Sequence, residues 1–413
     1  MRLGFLLVQL AGLCSQTAAP LNAPTKADSL LRLLPSAEWE ATFWASDDAK
    51  HLLTLTPAAI ADLVPAQAGL RWCACPACYA TEQEEPLQWS PRAPAVVTCR
   101  KCGVKLPNDD YPAKVAPGPG VPPVVPEEAV EVAQYRFHKY PFHTLPAERQ
   151  RYPDERVYLT ARRDYAAREW LFKAALYAAT QYHRQRTSAS RDPRLAQACA
   201  TIVLRYAQVY PTYAVHTDQP GRPPVFQSAT LRPPYRAGFT TCKGDWQGCL
   251  DVPIPLLLAY AVIRDDPAVA SVARELKVEN ARAQIEEKLF RAAAHFTLGH
   301  PSEMSEKELC AARGILLTGW LLGDVALTEH GEKRLCAYVR HEFAPQAEAP
   351  CDRAELMRVT QALKTWIAPI YADNPAEPTQ ATLAWAFAQA SALDPGRADP
   401  LVNQAKQPIP PPR

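Results

Sequence analysis

Apolar residues recur at helical spacing through the second half of the chain. Trp170, Ala174 and Ala178 follow one another at intervals of four, which is typical of one face of an α-helix. Asp192-Pro193 opens the next such run and suits a first helical turn, where the missing proline amide costs nothing. Further helices are predicted at about 253–264, 280–297, 306–322, 327–343, 352–371 and 379–392. At least eight helices with no alternating strand pattern among them predict a mainly α fold, with helix pairs closing into a toroid or solenoid.

The first part of the chain is patterned differently. Residues 28–63 contain two short helical patterns, and the aromatic stretch 129–158 predicts a small hairpin or an extended arm. Proline supplies 41 of the 413 residues. Residues 113–128 are so rich in proline that they cannot form a regular helix, and they are predicted to be a connector.

Four cysteines have the spacing of a metal site. Cys75-x2-Cys78 and Cys99-x2-Cys102 are two short knuckles separated by twenty residues, as in a zinc ribbon. Each knuckle presents two thiolates to one side, and two knuckles complete a tetrahedral four-sulfur site for a structural zinc ion with no open coordination position. Cys73 is a further thiol beside this site. The alternative is that the same four cysteines form two disulfides, as exported proteins often do.

Five of the other cysteines fall into two groups. Cys242 and Cys249 flank a short loop and could pair with each other. Cys199, Cys310 and Cys336 lie on helical faces and are predicted to pack in the core.

The N-terminus and the charge balance bear on the compartment. Residues 3–13 form an apolar run that is too short to span a bilayer but suits a secretory signal, so we expect a signal peptide over 1–19 and a secreted or periplasmic protein. A buried N-terminal helix is the alternative. No later segment has 18 uninterrupted apolar residues. The net charge of +2 argues against a nucleic-acid-coating protein or a polybasic membrane binder.

Several segments, in this order, resemble one known family. They are the cysteine stretch CPACYATEQEEPLQWSPRAPAVVTCRKCGVKLPNDDYP, the helical stretch YLTARRDYAAREWLFKAALYAATQYHRQ, and the loop LRYAQVYPTYAVHTDQPGRPPVF. With DVPIPLLLAYAVIRDDP after them, they resemble the N-terminal part of bacterial heparinase II/III-like polysaccharide lyases over residues 70–343. The resemblance implies an exported, incomplete (α/α) toroid that acts on acidic, uronate-containing polysaccharide by β-elimination.

The chain also departs from that family. Glu303 stands where the resemblance leads us to expect an asparagine that neutralises the uronate carboxylate, and an anionic group there would repel the substrate. After residue 343 the expected Tyr-His pair is missing, and the family's C-terminal β-sandwich is not found. These departures predict a degenerate lyase.

Candidate site residues follow from the needs of β-elimination, which are charge relief at the carboxylate, a base and an acid. For catalysis they are Tyr213, His300 and Glu303, with His216 as a further histidine. The loop 211–246 is the predicted substrate-binding segment, since guanidinium groups suit carboxylate or sulfate and aromatic rings stack on sugars. Its candidate residues are Arg222, Arg232, Tyr235, Arg236 and Trp246. Tyr213 is alternatively a packing aromatic.

Three classes of function therefore stay open. The chain is a lyase, a catalytically inactive glycan-binding or scaffold toroid, or a toroidal glycoside hydrolase using a carboxylate pair such as Asp245 and Asp251. A zinc-ribbon nucleic-acid binder is disfavoured by the balanced charge. The oligomeric state is left open.

The predicted organisation is as follows: a signal peptide at 1–19, a helical segment at 20–70, a zinc-ribbon-like module at 71–112, a Pro-rich linker at 113–128, the toroid at 129–395 and a Pro-rich tail at 396–413.

Overall fold

The structure is a computed structural model. It describes residues 30–35, 37–113, 142–151, 155–187, 191–213, 216–217, 225–226, 252–299, 306–331 and 333–334. Helix accounts for 62% of these residues, and the strands form small antiparallel sheets, so the predicted mainly α fold is confirmed at this level. The chain divides into two compact units: one is Leu34–Ser302, and the other joins Met1–Leu33 with Glu303–Arg413.

Three short helices open the larger unit. They are α1 (Ala37–Ala45), α2 (Asp47–Leu52) and α3 (Pro57–Leu63). Ser46 caps α2 by accepting a hydrogen bond from the Ala49 amide, and Thr56 caps α3, whose first residue is a proline. Two short helical patterns are predicted within residues 28–63, and the structure has three short α-helices among the described residues of that range.

A three-stranded antiparallel sheet carries the cysteine segment. Its strands are β1 (Leu87–Trp89), β2 (Val97–Cys99) and β3 (Lys105–Leu106), in the order β1-β2-β3. Leu87 lies opposite Cys99, and Val97 lies opposite Leu106. These four side chains are fully buried, which gives the sheet one apolar face.

The next elements are a small hairpin and two long helices. Strands β4 (His143–Thr144) and β5 (Arg156–Val157) pair antiparallel, within the aromatic stretch that predicts a hairpin. Helix α4 (Leu159–Arg184) is followed after a short link by α5 (Pro193–Val209), and the two helices pack against each other, with the rings of Phe172 and Tyr206 4.8 Å apart. They form a helical hairpin.

Further helices pack on this hairpin. Strands β6 (His216–Thr217) and β7 (Val225–Phe226) precede α6 (Ile254–Ile263) and α7 (Pro267–Glu275). Helix α8 (Ala281–Ile285) runs through a π-helical stretch (Glu286–Arg291) into α9 (Ala292–Leu298). Glu286 begins the π-helical stretch and accepts hydrogen bonds from the Tyr260 hydroxyl at 2.9 Å and the Arg264 Nε at 2.8 Å. These bonds tie α6 to the π-helical stretch.

The smaller unit contains a short 3₁₀ turn (Leu31–Leu33) and helix α10 (Glu306–Leu322), followed by a helical stretch over 325–331. Among the described residues of the larger unit, four further 3₁₀ turns are Glu82–Glu84, Ala147–Arg149, Gln185–Thr187 and Tyr210–Thr212. The predicted signal peptide, linker residues 114–128, the helices at 352–371 and 379–392 and the Pro-rich tail lie outside the described residues. Among the helices that are described, none combines the length and apolar character needed to cross a bilayer.

Candidate metal centre

Four sulfur atoms converge in the cysteine segment. The Sγ atoms of Cys75, Cys78, Cys99 and Cys102 all lie within 4.8 Å of one another, with 3.9 Å from Cys75 to Cys102 and 3.7 Å from Cys78 to Cys99. A tetrahedral ion with bonds of about 2.3 Å to sulfur needs sulfur atoms about 3.8 Å apart. All four cysteines are free thiols, since a disulfide would bring sulfur atoms to about 2.05 Å. The sulfur–sulfur distances are compatible with a structural metal ion and are too long for the disulfides of the alternative.

The first knuckle is a tight turn closed by backbone hydrogen bonds. The Tyr79 amide donates to the Cys75 carbonyl at 2.8 Å, and the Cys75 amide donates to the Ala80 carbonyl at 2.9 Å. The amides of Ala77 and Cys78 point at the Cys75 sulfur. The turn thus directs both sulfur atoms and several N–H groups to one side.

The second knuckle repeats this geometry. The Gly103 amide donates to the Cys99 carbonyl at 2.8 Å, and the Cys99 amide donates to the Val104 carbonyl at 2.9 Å. Gly103 has φ of +75°, and Tyr79 at the matching place in the first knuckle has φ of +57°. The position requires a left-handed conformation, which glycine adopts freely and tyrosine adopts at a cost of about 1 kcal/mol.

Exposure and pKa differ among the four thiols. Cys75 and Cys99 are fully buried, Cys78 is half-buried and Cys102 is exposed. Burial raises the pKa of Cys75 and of Cys78. Burial also acts to raise the pKa of Cys99, but the amides of Cys102 and Lys101 outweigh it and lower this pKa to about 7. Four thiols this close cannot all ionise unaided, whereas a bound cation favours the thiolate at each position.

The loop after β3 covers the first knuckle. The Tyr111 hydroxyl donates to the Pro76 carbonyl at 3.1 Å, and the Tyr111 amide donates to Asn108 Oδ1 at 2.9 Å. The His143 ring meets the Tyr111 ring edge-on at 5.9 Å, and His143 Nε2 lies 2.9 Å from the Pro112 carbonyl oxygen. Hairpin strand β4 therefore packs beside the centre.

A buried arginine joins the cysteine sheet to helix α4. Arg162 is only 6% exposed, and its guanidinium group donates to the Leu87 carbonyl at 3.0 Å and 3.2 Å and to the Arg71 carbonyl at 2.9 Å. The acceptors are backbone groups of β1 and of the segment leading to the first knuckle. Hydrogen bonds from a charged donor are stronger than neutral ones, so this contact fixes the sheet on the helix.

The chain before the first knuckle lies directly on α4. The Leu70 amide donates to the Ala161 carbonyl at 3.0 Å, and a buried Arg168 donates to the Ala68 carbonyl at 2.9 Å. Gly69, with φ of +77°, touches the helix backbone at Tyr165. The absence of a side chain at Gly69 permits this approach.

The centre and the helix share one apolar core. Cys75 and Cys99 belong to it together with Leu159 and Ala167 of α4, and Trp170 packs against it. Its other buried members are Cys73, Ala80, Leu87, Trp89, Val97, Leu106, Leu145 and Val157. The four-sulfur group therefore lies at the junction between the sheet and the helical hairpin.

The other candidate residues are placed as follows. Tyr213 is 1% exposed, and its hydroxyl donates to the Pro65 carbonyl at 2.7 Å, so this hydroxyl holds two distant parts of the chain together. His216 lies in strand β6, but its side chain is not described. Cys199 is fully buried in α5, as predicted.

The remaining predicted site residues lie outside the described part of the chain or have undescribed side chains: His300, Glu303, Arg222, Arg232, Tyr235, Arg236, Trp246, Asp245, Asp251, Cys242, Cys249, Cys310 and Cys336. Within the described residues, the four cysteines are the one group of three or more metal-ligating side chains that could hold an ion.

Sequence reasoning missed the residues that attach the centre to the helices. Arg162 and Arg168 lie in the run TARRDYAAREW, where arginine usually indicates a solvated helix face. One signal was present: alanines at 161, 167, 174, 175 and 178 indicate a helix face that another backbone can approach closely.

Comparison of the chain with family models, with curated proteins and with solved structures gives no match.

Proposed function

We propose that Cys75, Cys78, Cys99 and Cys102 hold one structural zinc ion. The observation that carries the proposal is the convergence of the four sulfur atoms within 4.8 Å. Two of the sulfur–sulfur distances are close to the edge length of a zinc–sulfur tetrahedron. Four thiolates fill the coordination sphere, so the ion would serve the fold and would not activate a substrate.

The position of the centre indicates what a bound ion would stabilise. Two of the ligands, Cys75 and Cys99, are core residues packed with Leu159 and Ala167 of α4. An ion that fixes both knuckles fixes this apolar surface as well. Zinc binding would therefore stabilise the helical hairpin together with the sheet.

Metal analysis of the purified full chain tests this proposal. We expect about one zinc per chain and its loss in Cys99→Ser, while Cys73→Ala, which changes a buried cysteine outside the four-sulfur group, keeps it. If the metal analysis finds iron in place of zinc, and the protein shows visible absorption bands, the bound ion is a different one, since zinc thiolates are colourless. A chain that binds no metal would contradict the proposal.

For the chain as a whole we propose an exported helical scaffold that binds acidic polysaccharide. Support comes from the order of segments that resemble heparinase II/III-like lyases, and from helices α4 and α6, which occupy two of those segments, while α5 ends within a third. The arginines and aromatic residues of loop 211–246 supply the chemistry, because guanidinium groups bind carboxylate and sulfate in bidentate fashion. In this proposal the helices extend into an incomplete (α/α) toroid.

Elimination by this scaffold should be slow or absent. Glu303 replaces the expected asparagine, and the Tyr-His pair is missing after residue 343. Removing one group that stabilises the transition state typically costs about 10²–10³ in rate, so several such losses leave little turnover.

Binding and turnover are tested together. Heparan sulfate, hyaluronan, alginate and polygalacturonate are each incubated with the protein, with a neutral polysaccharide as control. We expect salt-sensitive binding to at least one acidic polymer, weakened in Arg222→Ala and Arg236→Ala and unchanged in Lys173→Ala, whose side chain is exposed on α4.

The products separate the alternatives. A rapid rise in ultraviolet absorbance, caused by unsaturated sugar ends, would show that the protein is an active lyase and not an inactive scaffold. New reducing ends without that absorbance would show a hydrolase. No binding to any acidic polymer would contradict the glycan proposal.

A further inference from the structure

Two of the contacts among the four sulfur atoms run between the knuckles. Cys102, which is exposed, lies 3.9 Å from the fully buried Cys75. Cys78, which is half-buried, lies 3.7 Å from the fully buried Cys99. Each pair thus combines a cysteine that is at least partly exposed with a cysteine that is fully buried.

We propose that this centre is also an oxidative modification site, at which a hydroperoxide converts the two pairs into the disulfides Cys75–Cys102 and Cys78–Cys99. The inference rests on the zinc site proposed above, because its consequence is release of the metal. A four-thiolate site that loses two ligands per disulfide can no longer surround a tetrahedral ion.

The chemistry balances with the hydroperoxide as the oxidant. The Cys102 thiolate attacks the peroxide, so that an S–O bond forms, the O–O bond breaks, and hydroxide leaves from hydrogen peroxide. The Cys75 thiolate then attacks the Cys102 sulfur, which forms the S–S bond and expels a second hydroxide. Two electrons pass from the two thiolates to the peroxide, and two protons convert the hydroxides to water. The second pair consumes a second peroxide.

The geometry makes this oxidation feasible without unfolding. Each pair of sulfur atoms has to close from 3.7–3.9 Å to about 2.05 Å. The backbone hydrogen bonds that close each knuckle do not involve these sulfur atoms, so the knuckles need not open for the sulfur atoms to meet. We therefore expect reduction by a dithiol, with zinc resupplied, to restore the starting state.

The sequence lets a simple digest distinguish disulfides between the two knuckles from a disulfide within the second knuckle. Trypsin cuts after Arg92, Arg100 and Lys101, and so places Cys99 and Cys102 on separate peptides, while Cys75 and Cys78 stay together on residues 72–92. Disulfides between the knuckles link both small peptides to that larger one. A disulfide within the second knuckle would instead link the two small peptides to each other.

The experiment uses the full chain. Its zinc content is counted first, and hydrogen peroxide is then added in the presence of a zinc-binding dye, followed by alkylation, digestion and mass spectrometry. We expect release of about one zinc per chain, with both small peptides linked to residues 72–92. Cys73→Ala should release zinc to the same extent, because Cys73 belongs to neither pair.

The possible failures are distinguishable. A chain that contains no zinc at the first count contradicts the proposed zinc site and with it this inference. A chain that contains zinc and retains it in peroxide, or that links Cys99 to Cys102, overturns the oxidation inference and leaves the zinc site in place.

Discussion

A Cβ atom on Gly69 would lie 2.2 Å from the backbone nitrogen of Tyr165. It would also lie 2.6 Å from the Ala161 carbonyl oxygen, and Gly69 has φ of +77°. Neither neighbour can move aside, because both atoms belong to the backbone of α4. The segment before the first knuckle therefore contacts the helix at a distance that only glycine allows.

Gly69→Ala should destabilise the protein strongly. An alanine in the left-handed conformation costs about 1–2 kcal/mol. Forcing the segment away from the helix costs about 1–3 kcal/mol more, so we expect the free energy of unfolding to fall by about 2–5 kcal/mol. Gly103→Ala is the matched control, since Gly103 has φ of +75° but no atom within 4 Å of its Cβ position, and it should lose only about 1 kcal/mol. Chemical denaturation of both variants measures the difference, and equal losses would contradict the close contact.

Arg162→Met should also be costly. It leaves the Leu87 and Arg71 carbonyls without their buried donor, and we expect the free energy of unfolding to fall by about 2–4 kcal/mol. Lys173→Met on the same helix removes an exposed charge and should change stability by less than about 0.5 kcal/mol. If the two variants unfold at the same denaturant concentration, Arg162 does not anchor the sheet.

Removing the proposed zinc ion should destabilise the helices as well as the sheet. Cys75 and Cys99 share a core with α4, so a strong chelator should lower the free energy of unfolding by about 2.7 kcal/mol relative to protein with free zinc at a hundred times its Kd. Thermal unfolding followed by helical circular dichroism measures this. An unchanged helical transition after zinc loss would separate the centre from the helices.

His143 should make stability depend on pH below neutrality. Burial lowers the pKa of His143 from its usual value of about 6.5, against the opposing effect of the nearby Pro112 carbonyl. The unfolded chain therefore binds the proton first, and the stabilisation present above pH 6.5 is lost as the pH falls through the folded-state pKa. An NMR titration of the histidine rings, assigned with His143→Gln, should give a pKa below 6.5. A value above 6.5 would reverse the predicted direction.

Local features of the fold could be predicted from the sequence. The spacing of Cys75, Cys78, Cys99 and Cys102 predicts the four-sulfur group, because a two-residue gap suffices to build each knuckle. The helices α4, α5, α6 and α10 follow from apolar spacing over ten or more residues. Helix α7 was not predicted. Only a few residues separate it from α6, so its apolar pattern was not recognised as a separate helix.

Contacts between distant segments could not be predicted. Arg162 binds a carbonyl 75 residues away and Tyr213 one 148 residues away, and backbone acceptors leave no mark in a side-chain pattern. Gly69 shows the same difficulty. A single glycine in a loop indicates a turn, and only the position of α4 shows that it is a contact point.

The sequence separations around the centre set an order of folding. Cys75 and Cys102 are 27 residues apart, whereas Leu87 and Arg162 are 75 residues apart. Closing the shorter loop costs less chain entropy, so we expect the knuckles to form before α4 docks. On the ribosome they emerge before α4 has been synthesised. Zinc bound during synthesis would thus order the two knuckles before α4 docks on them. Zinc supplied only after synthesis would bind a chain whose unordered knuckles have already had time to misfold.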